Sequence, residues 1–512
     1  MEPSAIAHDQ PAISNPKEHD ADMELDPYKY QCGFGNHHAT EAIPGSLPRH
    51  GTNLPQKCPY GLYAEHLNGT SFVSSRDTVS NVFLPINPDV SFTPLAHAWG
   101  PLTTEPSTDV AAGLSLDTQV KKTTFVQGLR TIGGHGDATL REGLAVHQYA
   151  FNADMCQQAF ANHDGEFLLV PQKGTLNIKT EMGMLRVRPG IIAVLPAGIR
   201  FSISLVRSSH KHAGQPEEEL EEARGYVLEI FGSHYTLPEL GVLGANGLAH
   251  LRDFEYPVAA FDFVSSSKPS SSPWKIILKL AGRLNCYSQP YSPFNVVAWH
   301  GRYAPYRYNL SHFAHLTANS DQLDPTAYTV LTAPSKYPGV SLVDFCIFGE
   351  KWAVVKDSWR IAYYHRTMAT EILGVIKGLY LGSVRPFEEG GLRFEQAYMP
   401  HGETYEAWKR DREDSHEPGM VGKDSLGFMF HISSHFALTK WAMEDHPDIR
   451  LEQPGLWDTM RSNLMDHIDE INANLKKAGM PILDASAMQV VPSADMKHPK
   501  RSNLPTPPPA PF

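Results

Sequence analysis

The chain has 512 residues and a formal net charge of −12 at neutral pH. This length exceeds what one ordinary hydrophobic core organises, so at least two domains are expected. The acidic balance and the lack of any block rich in lysine and arginine argue against nucleic acid or an anionic membrane as the main partner. No apolar run approaches the roughly 20 residues of a membrane helix. Hydrophobic residues at 41% and charged residues at 20% are typical of soluble globular proteins.

The amino terminus and the cysteines predict a cytoplasmic protein with reduced thiols. Residues 1–27 are polar and acidic, lack the basic and apolar regions of a secretory signal, and are predicted to be a disordered tail. The five cysteines are scattered, odd in number and without a CxxC pair, which favours free thiols over disulfides or a zinc site. Any bound metal is therefore expected to be held by histidine and carboxylate.

Residues 28–285 are predicted to form an N-terminal β domain. The region opens as an arm rich in glycine and proline, in which His37 and His38 are interpreted as exposed loop residues. From about 120 to 235 many short β-prone runs alternate with turn residues, as an antiparallel sandwich or barrel requires. Within this region Gly190–Phe201 resembles the second signature motif of the cupin superfamily, a small jelly-roll barrel. That motif has a metal-binding histidine where this chain has Phe201, so the resemblance implies a first barrel without metal.

A second, catalytic β-barrel is predicted over residues 286–445. A helical or mixed segment over 446–495 and a proline-rich tail over 496–512 follow it. Residues 428–441 are also predicted to be helical or mixed, with packing or capping roles for His431 and His435. The predicted fold class is therefore mainly β, with two jelly-roll (cupin-like) barrels and a few peripheral helices.

The strongest chemical signal in this second barrel is His365 followed six residues later by Glu371. On an α-helix the two side chains would point about 240° apart, and on one straight strand they would lie roughly 20 Å apart. A hairpin that ends one strand at His365 and begins the next at Glu371 brings both to one side of a sheet. With His401 from a later strand, two imidazoles and one carboxylate form the ligand set of a non-haem ferrous iron.

Several motifs together carry a resemblance to one family of enzymes. They include Gly33–Asn36, Gly244–Ala249, Ser292–Gly301 and Tyr363–Arg366. From about residue 30 to residue 441 the chain resembles the homogentisate 1,2-dioxygenases of tyrosine and phenylalanine breakdown. The resemblance implies that ferrous iron, homogentisate and dioxygen are bound, and that maleylacetoacetate is the product. It also implies a homo-oligomer, a hexamer in that family.

The resemblance implies a role for each matching residue. The iron ligands would be His365, Glu371 and His401, and His300 and Tyr380 would contact the substrate hydroxyls. An imidazole suits proton transfer from a phenol because it titrates near neutrality, and Tyr380 would donate a hydrogen bond to a ring oxygen. The structural alternatives are a core histidine at 300 and a packing tyrosine at 380.

The chain departs from the family pattern near the site. Residues 367–370 differ from the family sequence, and Glu395 stands where the family has a histidine beside the pocket. A carboxylate there would disfavour the anionic side chain of homogentisate, so Glu395 joins His300, Tyr380 and His401 as a candidate substrate-binding residue. Two alternatives stay open: a paralogue that cleaves a related hydroquinone or catechol in a specialised pathway, and a non-catalytic bicupin that binds or stores a ligand.

Overall fold

The computed structural model describes somewhat more than half of the chain, and all structural statements below concern that part. The described residues are 26–47, 60, 62, 97–99, 122–207, 222–239, 249–262, 272–314, 328–353, 366–378, 388–399, 401, 417, 419–451 and 467–484. His365 and Tyr380 lie outside these ranges, as do the proline-rich tail and all but the last two residues of the predicted N-terminal tail.

Strands dominate the described residues, which confirms the predicted mainly β fold class. The α-helices of the described residues are α1 (Phe125–Gly128) and α2 (Ile468–Lys477). A short π-helix lies at Trp441–Asp445, and 3₁₀ turns lie at Ala138–Leu140, Leu251–Asp253 and Leu310–His312. No described helix has the length and apolar character needed to cross a membrane. The strands are β1 (Tyr30–Cys32), β2 (His38–Glu41), β3 (His97–Trp99), β4 (Leu129–Asp137), β5 (Glu142–Phe151), β6 (Gln158–Asn162), β7 (Gly165–Lys173), β8 (Leu176–Thr180), β9 (Gly183–Val187), β10 (Ile191–Leu195), β11 (Phe201–Leu205), β12 (Ala223–Phe231), β13 (Phe254–Pro257), β14 (Trp274–Leu280), β15 (Arg283–Gln289), β16 (Ala298–Gly301), β17 (Tyr306–Asn309), β18 (Thr329–Pro334), β19 (Ser341–Ala353), β20 (Thr370–Lys377), β21 (Leu392–Glu395), β22 (Gly419–Ile432), β23 (Ala437–Leu438) and β24 (Ile449–Leu451).

The strands assemble into three large sheets and one two-stranded ribbon. The first sheet has the order β1-β13-β17-β10-β7-β12-β5-β4-β23, and the second has the order β15-β14-β6-β11-β8-β9. The third sheet has the order β18-β19-β22-β20-β21-β3-β24, and β16 pairs with β2 in the ribbon. β16 pairs with β2, and β17 lies between β13 and β10, so residues after 286 still contribute to the N-terminal sheets. The domain boundary at 285/286 stays a prediction.

The first and second sheets enclose an aromatic core. Phe201 on β11 is buried and lies edge-on to Phe160 at 5.5 Å and to Phe125 at 6.3 Å between ring centroids. Such edge-to-face pairs stabilise a core beyond the burial of their area. Phe201, for which the resemblance to the cupin motif implied no metal, is thus a packed residue of this core.

A second core joins the first sheet to the third. On β22, Phe428, Phe430 and Ile432 are buried in this core, while Met429 belongs to a separate cluster on the other face of the sheet. This alternation is the two-residue period of a strand, so the helical or mixed structure predicted from residue 428 is wrong as far as Ile432. The Tyr226 hydroxyl of the first sheet lies 3.1 and 2.9 Å from two backbone carbonyls at the third sheet.

A buried ionic cluster fixes the turn between β14 and β15. Lys279 Nζ lies 2.7 Å from Glu229 and 2.9 Å from Asp164, and His147 Nε2 lies 3.0 Å from the other Glu229 oxygen. Burial would raise the pKa of Glu229, but the charge of Lys279 and the hydrogen bond from His147 lower it to about 2. The backbone N–H of Ala281 donates to Asp164 over 2.6 Å. The cluster thus ties the tip of the β14–β15 hairpin to the body of the sandwich.

Replacing Lys279 with methionine tests the contribution of this cluster to stability. Removing the cation leaves two buried carboxylates without their counter-charge, so we expect Lys279→Met to lower the free energy of unfolding by roughly 3–5 kcal/mol. Lys275→Met, at an exposed position of the same strand, should change it by no more than about 0.5 kcal/mol. Urea unfolding followed by tryptophan fluorescence measures both, and equal values for the two variants would contradict the prediction.

Candidate active site

Four ionisable residues lie in register across one face of the third sheet. Glu371 is the second residue of β20, and the sequence predicted that a strand begins near it. It pairs with Glu395 on β21 and with His431 on β22. His431 in turn pairs with Asp344 on β19. Because alternate residues of a strand point to opposite faces, this row lies on the side away from the core shared with the first sheet. His431 is therefore a neighbour of Glu371. The prediction of a helical or mixed segment over 428–441 did not place these two residues together.

His401 faces Glu371 across a short gap. Its Nε2 lies 3.5 Å from Glu371 Oε2, and its Nδ1 lies 3.0 Å from the Met399 carbonyl oxygen. Since a carbonyl only accepts hydrogen bonds, Nδ1 carries a proton, and in the neutral ring Nε2 presents its lone pair towards the carboxylate. Burial would lower the pKa of His401, but the nearby carboxylates outweigh burial and raise it above its ordinary value.

Glu395 is accompanied by its own counter-charge. Arg393 Nε lies 2.6 Å from Glu395 Oε1, and Glu395 Oε2 lies 3.8 Å from His401 Nδ1. Two carboxylates directly opposite each other in a sheet repel, so Arg393 and His401 balance the Glu371–Glu395 pair. The arginine also weakens the repulsion that Glu395 was expected to exert on an anionic substrate.

Thr367 and Thr370, which the resemblance indicated as departures from the family pattern, tie the site loops together. The Thr367 carbonyl accepts a 2.7 Å hydrogen bond from the Tyr398 N–H. The Thr370 hydroxyl donates to the Ser434 carbonyl over 2.7 Å and lies 3.3 Å from the Ala397 N–H. Tyr398 itself has a positive φ of 65°, which is uncommon for a residue with a bulky side chain. These contacts fix the loop before His401 against the start of the strand that carries Glu371.

His300 lies on β16 of the two-stranded ribbon, beside His37, which was interpreted from the sequence as an exposed loop residue. His300 Nδ1 lies 3.3 Å from His37 Nε2, and both side chains are exposed. His38, expected to be exposed, is instead buried, with Nε2 3.0 Å from the Gly33 carbonyl oxygen and its ring 4.2 Å from that of Tyr256. His37 directly precedes β2 and continues its alternation of exposed and buried residues, because neighbouring residues of an extended chain face opposite ways.

The described part of the site fits a divalent metal. A carboxylate oxygen and an imidazole nitrogen that face each other at this distance are the donor types that suit ferrous iron and similar ions. Among the residues that the structure describes, no group of three histidine, cysteine, aspartate or glutamate side chains is arranged to hold a metal ion. The third predicted ligand, His365, and the predicted substrate contact Tyr380 lie outside those residues.

Comparison with known proteins matches the chain over most of its length. Residues 29–310 match the family described as homogentisate 1,2-dioxygenase N-terminal, and residues 311–464 match its C-terminal counterpart. Homogentisate 1,2-dioxygenase from Mus musculus is 39% identical over 85% of this chain and 96% of its own length. The Arabidopsis thaliana enzyme of the same name is 42% identical over 82% of this chain and 90% of its own length. The solved structure of protein Ylba from E. coli covers 68% of this chain and 94% of its own at 11% identity, with a TM-score of 0.26, too low to add to the assignment.

The mainly β fold, the facing carboxylate and imidazole and these matches define the chain as an enzyme of the dioxygenase class. It belongs to the homogentisate 1,2-dioxygenase family.

The ion pair of Arg393 with Glu395 can be tested by a double-mutant cycle. Arg393→Gln removes the counter-charge of a buried carboxylate, so we expect the free energy of unfolding to fall by roughly 3–5 kcal/mol. Adding Glu395→Gln removes that uncompensated charge and should recover most of the loss. Arg283→Gln, on an exposed strand, is the control. Urea unfolding of the wild type, Arg393→Gln, Glu395→Gln, the double variant and the control supplies the values. A double variant whose loss equals the sum of the two single losses would show that the two residues are not coupled.

Proposed function

We propose that the protein is an iron(II)-dependent, extradiol-type ring-cleaving dioxygenase that converts homogentisate and dioxygen to maleylacetoacetate in tyrosine and phenylalanine catabolism. The observation that carries the proposal is the 3.5 Å approach of His401 Nε2 to Glu371 Oε2 in a member of this family. Both residues are in the ligand set proposed from the sequence, and each is held by contacts of its own strand or loop.

In this proposal His365, Glu371 and His401 are the metal ligands. Ferrous iron bound there would supply a site where a phenolic oxygen and dioxygen meet and a source of electrons for oxygen. The Met399 carbonyl keeps the Nδ1 proton of His401 in place, so Nε2 stays available as the donor. The register of β20 with β21 and β22 holds the Glu371 carboxylate at a fixed point of the third sheet.

His300 and Tyr380 are the proposed catalytic residues that contact the substrate. His300 takes the proton of a ring hydroxyl as the ring binds, and His37, within hydrogen-bonding distance of Nδ1, orients the imidazole. Tyr380 donates a hydrogen bond to a ring oxygen. His401 and Glu395 complete the set of proposed substrate neighbours, with Arg393 holding the Glu395 carboxylate.

The second candidate keeps the chemistry and changes the ring. The Arg393–Glu395 pair, where the family has a histidine, favours a site with altered polarity and hence a related hydroquinone or catechol from a specialised pathway. A non-catalytic bicupin that only binds a ligand is the third candidate. We further propose a cytoplasmic location and a homo-oligomer, a hexamer as in the family, with no nucleic acid or membrane partner.

Oxygen uptake and product absorbance test the activity directly. The ferrous-loaded protein is mixed anaerobically with homogentisate, oxygen is admitted, and the ultraviolet absorbance of maleylacetoacetate is followed. We expect Glu371→Gln to lower iron affinity and turnover by about a hundredfold or more, because a ligand matters at least as much as the groups that orient it. The control is Glu470→Gln, at an exposed carboxylate of α2.

Each negative result of that experiment has its own meaning. Bound iron with turnover only on a neutral methylhydroquinone would favour the second candidate. Failure of the wild-type protein to bind iron would overturn the enzyme proposal and favour the third.

A separate variant tests the proton-transfer role of His300. Glutamine keeps a hydrogen-bonding side chain but does not titrate, so we expect His300→Gln to lower kcat/KM by roughly 10²–10⁴-fold. Iron content should stay at the wild-type level, because His300 is not a proposed ligand. His312→Gln, another exposed histidine, is the control, and unchanged kcat/KM in His300→Gln would refute the role.

A further inference from the structure

The β14–β15 hairpin is held rigidly at its tip. Ala281 and Gly282 form its two-residue connection with φ values of 50° and 70°, as a type I′ turn requires. Their N–H groups donate to Asp164 over 2.6 and 2.9 Å, and Lys279 binds the same carboxylate. A buried ion pair therefore fixes the direction in which this hairpin points.

The second strand of the hairpin is nevertheless exposed. Every residue of β15 except the last is solvent-exposed, and Leu284 and Tyr287 have 60% and 39% of their surface in contact with solvent. Leu280, at the end of β14, is 51% exposed. A rigid strand that presents apolar side chains to solvent is preorganised to contact a partner.

The hydrogen bonds of β14 show which of its residues face away from β15. The Lys275 N–H donates to the Gln157 carbonyl, and the Lys279 carbonyl accepts from the His163 N–H. Both bonds run towards β6. In an antiparallel pair the bonded residues alternate along the strand, so Lys275 and Lys279 belong to the non-hydrogen-bonded pairs with β15.

The backbone groups of alternate β15 residues therefore face the free edge of the hairpin. Ser288 pairs with Lys275, and Leu284 pairs with Lys279. Cys286, midway between them, has the same phase. The N–H and C=O groups of these three residues point away from β14, and in the sheets that the structure describes no strand pairs with them.

This edge lacks the usual protection against pairing. Within Arg283–Gln289 the only charged residue is Arg283, and the sequence contains neither lysine nor proline. The register with β14 runs without a bulge. Edge strands that stay unpaired commonly carry lysine, proline or a bulge, so the composition of β15 favours pairing with another strand.

We propose that the free edge of β15 joins two copies of this chain as antiparallel strands around a two-fold axis at Cys286. Cys286 is the central residue of β15, and an antiparallel strand paired with its own copy about its centre matches each outward N–H with a C=O. Cys286 would face its equivalent in the other copy, and Leu284 would face Ser288 of the partner subunit. A second copy is favoured over another protein because this pairing needs no sequence beyond that of β15 itself.

Thiol cross-linking tests the predicted axis. Facing residues of a hydrogen-bonded antiparallel pair have Cα atoms about 5.5 Å apart, within the range of a disulfide and of the short cross-linker bismaleimidoethane. With Cys32, Cys58 and Cys156 changed to serine, the full-length protein should cross-link into a covalent dimer through Cys286. Adding Cys286→Ser should abolish the dimer, and failure of the Cys286-containing protein to cross-link would overturn the proposal.

A pair of charge variants tests the register independently of thiol chemistry. In Leu284→Lys/Ser288→Lys, lysines face each other twice across the axis, whereas in Leu284→Lys/Ser288→Glu each lysine faces a glutamate. We expect the first to self-associate about tenfold more weakly than the second in sedimentation velocity. Both carry Leu284→Lys, so any local cost of that change cancels, and equal association of the two variants would overturn the proposal. The readout is mass, so the result does not depend on the enzyme activity.

Discussion

The site depends on the register of β20 between β21 and β22. That register places Glu371 between Glu395 and His431 and leaves its carboxylate facing His401. A slip of one residue would turn Glu371 into the hydrophobic core and bring Ile372 to the site face. The core residues Ile372, Phe394 and Phe430 oppose such a slip because each is fully buried on the other side. Hydrophobic packing against the first sheet thus fixes the position of a polar site on the opposite face.

Charge balance is the second constraint on this site. A buried row of Glu371 and Glu395 is costly unless positive charge accompanies it. Arg393 lies against Glu395, and His401 lies between the two carboxylates. A divalent cation bound at Glu371 and His401 would add further positive charge beside this row. The resemblance indicated that Glu395 stands where the family has a histidine. Arg393, two residues earlier on the same strand, points the same way and balances the charge of Glu395.

Much of the fold was predictable from local sequence pattern, and the errors have physical causes. The runs of β-prone residues in β7 to β12 alternate with turns, so local propensity and tertiary structure agree there. The segment 428–432 was misassigned because its large aromatic residues fit both periods, and only the core against the first sheet selects the strand. Glu371 and His401 were proposed from their residue types and the family resemblance, and the structure brings their side chains within 3.5 Å of each other. His431 and His37 were missed, because their roles depend on pairing between strands far apart in sequence. Arg393 was missed although it lies two residues before Glu395 on the same strand, so the two-residue period could have indicated it. The ionic cluster around Lys279 carries no local signal either, since its four members come from three strands and one loop.

The bond between the Thr367 carbonyl and the Tyr398 N–H has an evolutionary consequence. It joins the segment before Glu371 to the loop before His401, the two places where the sequence indicated departures from the family pattern. A substitution that shifts the backbone on one side would misplace a ligand on the other unless the second side adjusts. Among relatives of this chain, the two segments should therefore have diverged together, as one inherited unit.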